Sequence, residues 1–112
     1  MRIAAIAGLL VCFLSVMPVA HAAGLYCALS DNSVHRAYVS DVRRIGREPR
    51  LALRNLASRF RRTVNIEYST YFVSNNGICH RFGSPAAAAF NLGLLKEKLQ
   101  NDNFAVFVVG SY

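Results

Sequence analysis

Ile3 to Val16 is an almost unbroken apolar run, preceded by Met1-Arg2 and followed by Pro18 and Ala20-His21-Ala22. A short positive start, an apolar stretch, a helix breaker and small residues two apart make the pattern of a secretory signal peptide, with cleavage expected after Ala22. The alternative for the same run is an uncleaved anchor, since an apolar stretch of about 20 residues just spans a bilayer. Pro18 and the Ala-x-Ala spacing favour removal. Cys12 follows Leu9-Leu10-Val11, with Val where lipid attachment wants a small residue, so it is expected to leave with the leader. The chain thus divides into residues 1-22, a cleaved signal peptide, and residues 23-112, a single small exported α+β domain, periplasmic or secreted, with no transmembrane span after cleavage.

This division limits what the remainder can fold into. A domain of this size buries only a modest core and benefits from a covalent staple. Beyond the leader stand two cysteines, Cys27 and Cys79, which allow one connectivity in an oxidising compartment. Closing a loop of about 50 residues would contribute on the order of 4 kcal/mol in the chain-entropy model. No C-x-x-C spacing or further ligand cluster supports a redox or metal role for the pair, and no cofactor or metal site is expected.

Charge is the second asymmetry. The whole chain carries 13 Lys+Arg against 6 Asp+Glu. Nine arginines fall between Arg36 and Arg62, opposed there only by Asp41 and Glu48. The planar guanidinium pairs bidentately with phosphate and carboxylate, so a local arginine cluster points to an anionic partner.

Periodicity supplies the elements. Gly24 to Ser30 is expected to be a short strand or arm, Asp31-Asn32-Ser33 a turn, and Ala37 to Val42 a strand. Pro49 suits the first turn of a helix over Pro49 to Arg62, with Ala52, Leu53, Leu56, Ala57 and Phe60 on one face and Arg47, Arg50, Arg54 and Arg61 on the other. Val64 to Ser74 is rich in β-branched and aromatic residues and reads as a strand, returning through Asn76-Gly77 into Ile78 to Phe82. Ser84 and Pro85 open a second helix running to about Asn101, with Ala88, Ala89, Leu92, Leu95 and Leu99 on its core side. Phe104 to Val109 ends the series as a strand.

The doubled strand–helix–strand plan predicts a two-layer ferredoxin-like sandwich (βαββαβ): a four-stranded sheet, two helices on one face, and one disulfide. The other sheet face would be open. Alternation assigns Tyr38 and Ser40 to it, with Ala37 and Val39 inward; Tyr71 and Arg81 would join Tyr38 in an aromatic and basic surface.

Phe82-Gly83-Ser84-Pro85, the alanine run Ala86 to Ala89, Leu95, Leu99 and Phe104 to Val109 make residues 78-109 resemble half of a SPOR domain. The resemblance implies a ferredoxin-like fold that binds peptidoglycan glycan strands on its open sheet face. The same fold carries RNA-recognition motifs, but Ile78-Cys79-His80-Arg81-Phe82 lacks their aromatic run.

Catalytic signatures are sparse: no G-x-S-x-G, H-E-x-x-H, P-loop or G-x-G-x-x-G occurs. His35 and His80 would serve a small secreted nuclease only if folding brought them together as acid and base. The leading expectation is therefore a binding domain for an anionic polymer or acidic protein: cell wall, anionic membrane surface or nucleic acid. Arg43, Arg44, Arg47, Arg50, Arg54, Arg61 and Arg62 would supply charge, and Tyr38, Tyr71 and Arg81 the sheet surface. The competing expectation is a protein-protein module, such as an inhibitor or immunity partner of a secreted protein.

Overall fold

Ala23–Asp31 forms β1, the strand around which the other elements are arranged. In the computed structural model, which describes residues 22–46, 50–75, 78–110 and 112, the elements that follow are β2 (Arg36–Ser40), β3 (Arg43–Ile45), α1 (Arg50–Tyr68), β4 (Cys79–Phe82), α2 (Pro85–Asn101) and β5 (Ala105–Val109). The signal peptide expected over residues 1-22 lies outside the described residues except for Ala22, as does the Asn76-Gly77 turn.

β1 turns back into β2 through residues 32–35, where Asp31 Oδ1 accepts the N–H (3.0 Å) and the hydroxyl (2.6 Å) of Ser33. An aspartate at this position closes such a turn by replacing a main-chain acceptor. β2 and β3 run antiparallel to β1 along one edge, but their registers differ by one residue: Ala28 faces Val39, whereas Leu25 faces Arg43. Two residues of β1 therefore oppose three, Ser40 to Val42, which is a β-bulge. Ser40 repairs the ladder there. Its buried hydroxyl accepts the Cys27 N–H at 2.8 Å and donates to the Asp41 carbonyl at 3.0 Å.

β4 pairs antiparallel on the opposite edge of β1, with Cys27 directly facing Cys79, and the two form a disulfide. β5 pairs parallel with β2. The result is a mixed, curled sheet. The expected ferredoxin-like order is not the order of the described residues. The N-terminal segment is a central strand rather than an arm, and the segment expected to be the second strand is helical as far as Tyr68. Val64 and Tyr68 explain why: they continue the Phe60 stripe at four-residue spacing, and burying that stripe outweighs their β propensity.

The helices also lie on opposite faces of the sheet. Leu25 and Cys27 of β1, with Leu29 beside them, pack in the cluster that holds Leu56, Ala57, Phe60 and Val64 of α1. Alternate β1 residues, Tyr26 and Ala28, pack instead with Leu92 and Leu95 of α2. Two-fold alternation along β1 serves two different helices. The face expected to be open is covered by α1, and all four of Ala37, Tyr38, Val39 and Ser40 are buried.

α2 begins at the expected place. Ser84 is its N-cap, its hydroxyl accepting the Ala87 N–H at 3.1 Å, and Pro85 follows in the first turn. Its start lies so close to β1 that a Cβ on Gly24 would sit 2.6 Å from Pro85 Cα and 2.8 Å from the Ser84 carbonyl oxygen. Glycine is required at that crossing. The buried Tyr26 hydroxyl donates to Asn91 Oδ1 at 2.7 Å, and burial pushes its pKa up, which keeps it a donor.

Candidate functional site

α1 divides its arginines between two flanks. Helical spacing puts Arg54 and Arg61 on one side of the buried stripe and Arg59 and Arg62 on the other. On the first flank, Arg61 Nη1 donates to the Phe72 carbonyl at 3.1 Å and its Nε to Asn75 Oδ1 at 2.6 Å. Asn65, one turn on, donates from Nδ2 to the same carbonyl at 3.0 Å. Its Oδ1 accepts the Phe72 N–H (2.9 Å) and the Thr70 hydroxyl (2.7 Å). Together they clamp the extended segment 70–75 against the helix that precedes it. Ser69, at φ 54°, makes the reversal, and Thr70 N–H reaches the Asn65 carbonyl at 3.2 Å. Arg61, expected to bind a partner, is half-exposed and makes these two bonds within the chain.

On the second flank, Arg59 and Arg62 meet Tyr112. Arg59 Nη2 donates to the Tyr112 main-chain oxygen at 2.9 Å, and Arg59, Arg62, Thr63, Ile66 and Tyr112 line a depression of about 230 Å³. Arg43 lies over the Tyr112 ring, 4.9 Å from its centroid, and lines a neighbouring depression of about 270 Å³ with Asp41, Gly110 and Tyr112. The Tyr112 ring itself stands edge-on to Phe60 at 5.2 Å, and its hydroxyl approaches Cys27 Sγ at 3.8 Å. The disulfide and the α1 core thus fix the platform on which three guanidinium groups gather. A cation over the face of a tyrosine gains from the ring quadrupole and remains available to an anion from outside.

The other expected residues are dispersed. Arg44 faces Gly24 in register, on the α2 side of the sheet, and Arg54 is exposed on the Arg61 flank. Arg81 is exposed and its Nη2 donates to the Gly46 carbonyl at 3.1 Å. Arg47 lies outside the described residues, and Arg50 begins α1. Arg59 and Tyr112 were not expected at the site. The three-residue spacing of Arg59 and Arg62 is legible in the sequence; the return of Tyr112 to them is not.

Tyr38 and Tyr71 do come together, but not on an open sheet. Tyr38 is 1% exposed, its ring flanked by Tyr68 (4.8 Å), Phe107 (5.5 Å) and Phe72 (6.0 Å). Both tyrosines line a cleft of about 320 Å³ between the β1–β2 turn and residues 69–72, with Arg36 rather than Arg81 beside them. His35 and His80 do not meet. His80 packs on Tyr26 and His35 on Phe104, near opposite ends of β1, about 17 Å apart by strand rise. They cannot act as one acid–base pair.

No family model matches this chain, and neither a curated protein nor a solved structure matches it.

Proposed function

We propose that this is a small exported domain that binds an anionic partner through the arginine platform around Tyr112. The observation that carries the reading is the convergence of Arg43, Arg59 and Arg62 on one tyrosine, with Asp41 the one acidic side chain among the described residues that line the two depressions beside it. Two adjoining depressions sharing Tyr112 suit successive charged groups of a polymer better than one isolated anion. Guanidinium groups held at a fixed spacing favour phosphate or carboxylate over weaker acceptors. The Cys27–Cys79 bridge supports an oxidising compartment, which agrees with the leader-like N-terminus. Cell-wall polymer, anionic lipid and nucleic acid all carry the required chemistry.

The test is binding of the oxidised protein to three probes at low salt: phosphatidylglycerol vesicles, a DNA duplex and purified peptidoglycan. Saturable binding to at least one, with affinity falling linearly in the logarithm of salt, is expected. Arg43→Gln, Arg59→Gln and Arg62→Gln combined should lower that affinity at least about tenfold, on the scale of three lost charge-assisted contacts. Absence of binding to all three probes, or binding unaffected by the triple substitution, overturns the reading.

A further inference from the structure

The cleft over Tyr38 lies apart from the arginine platform and has features a merely unfilled corner of the core lacks. Its floor is a tyrosine whose hydroxyl forms no hydrogen bond among the described residues. No buried side-chain polar atom among those residues is without a partner, so this hydroxyl is the part of Tyr38 that keeps contact with the cleft. A polar group on a residue buried to this degree is normally satisfied within the protein. Here it is aimed at a space of about 320 Å³, within the range of small-molecule pockets.

The remaining groups define what that space accepts. Tyr68, Tyr71 and Phe72 supply apolar ring surface, and Tyr71 is 92% exposed at the mouth. Arg36 lies opposite Asp31 in register, is exposed, and makes no hydrogen bond or ion pair among the described residues. Asp31, the one acidic side chain of the lining among the described residues, places its Oδ1 on both Ser33 donors to close the turn, and its charge acts on Arg36 opposite. The donors the cleft offers a ligand are a guanidinium at the mouth, partly offset by the Asp31 carboxylate, and a phenol at the floor, set among aromatic faces.

We infer that this cleft binds a small aromatic carboxylate, its ring between Tyr68 and Tyr71, its carboxylate on Arg36, and an acceptor within reach of the Tyr38 hydroxyl. Ring stacking supplies the apolar contact and the guanidinium the charge-assisted one. The site depends on none of Arg43, Arg59 and Arg62, so it stands or falls independently of the anion-binding platform.

The test is an NMR titration of the oxidised protein with benzoate and 4-hydroxybenzoate, using acetate and benzylamine as ring-free and cationic comparisons. Saturable shifts of the Tyr38, Tyr68 and Tyr71 ring signals are expected with both aromatic carboxylates. The hydroxylated probe should bind more tightly. Tyr38→Phe should remove that preference, a loss of about fivefold, the scale of one neutral hydrogen bond. Because the hydroxyl has no hydrogen-bond partner among the described residues, this variant keeps the core packing. Arg36→Gln should weaken both carboxylates about tenfold. The inference is overturned if benzylamine binds as tightly as benzoate, or if acetate binds as tightly as either ring compound. No response of the cleft at about 10 mM ligand, or titrations unchanged in both variants, would also overturn it.

Discussion

The two faces of β1 solve the same problem in opposite ways. On the α1 face the gap between helix and sheet is filled by large side chains: Leu25, Phe60, Val64 and Tyr38, with the disulfide among them. On the α2 face the gap is nearly abolished, because Gly24 and Ala88 let the helix start rest against the strand, and Leu92 is the main buried side chain of the helix. One face is stabilised by volume, the other by close approach. The first therefore responds to deletions and the second to additions.

This contrast can be broken most directly at Phe60, which is fully buried. Phe60→Ala is expected to lower the unfolding free energy by about 4 kcal/mol in urea denaturation of the oxidised protein. Leu92→Ala, on the thinner face, should cost less; an equal or larger loss would contradict the division. Gly24→Ala should cost about 2 kcal/mol, because its added Cβ meets main-chain atoms that cannot rotate away. Gly46→Ala is the companion measurement, since no described residue lies within 4 Å of a Cβ there. If both alanines prove equally harmless, α2 does not sit as close as described.

The smallest expected effect concerns the turn that borders the Tyr38 cleft. The Ser33 hydroxyl, then its N–H, hold the Asp31 carboxyl below the usual carboxylate range. A lowered folded-state pKa contributes stability that is present above the unfolded-state value and lost as pH falls through the folded one. Asp31→Asn keeps an oxygen for the turn but cannot ionise. The stability difference between the two proteins should therefore shrink on acidification through that window, as read from thermal unfolding at stepped pH. The Asp31–Ser33 bonds lie at the solvent-exposed turn, so a small, salt-screened change is expected.

Much of the local structure was legible from residue patterns. Ser84-Pro85 announced the start of α2 because a cap and a fixed φ act within one turn. The strands around Gly24, Ala37, Ile78 and Phe104 also stand within a residue or two of where they were expected. The stretch after Arg62 was misread because β-branched and aromatic residues serve a strand and a buried helix face equally well. What decides between them is whether Val64 and Tyr68 meet a sheet, and that depends on distant residues. Arg61 shows a related limit. Its charge is visible, but its bonds to Phe72 and Asn75 exist only because Asn65 and Ser69 turn the chain back.

The sequence by itself determined that the described residues hold two helices and a set of short strands, that Cys27 and Cys79 are the pair available beyond the leader-like segment, and that positive charge concentrates between Arg36 and Arg62. These follow from spacing and composition over ten or so residues, where the chain's own geometry decides. Only the tertiary structure decided that α1 and α2 cover opposite faces, that Tyr38 is a buried floor rather than a sheet surface, and which arginines gather at Tyr112. Those depend on where each helix lands across a curled sheet, and a helix of given pattern can bury its stripe on either face. The choice is made by contacts between residues far apart in the chain, such as Gly24 with Pro85, Cys27 with Cys79 and Phe60 with Tyr112.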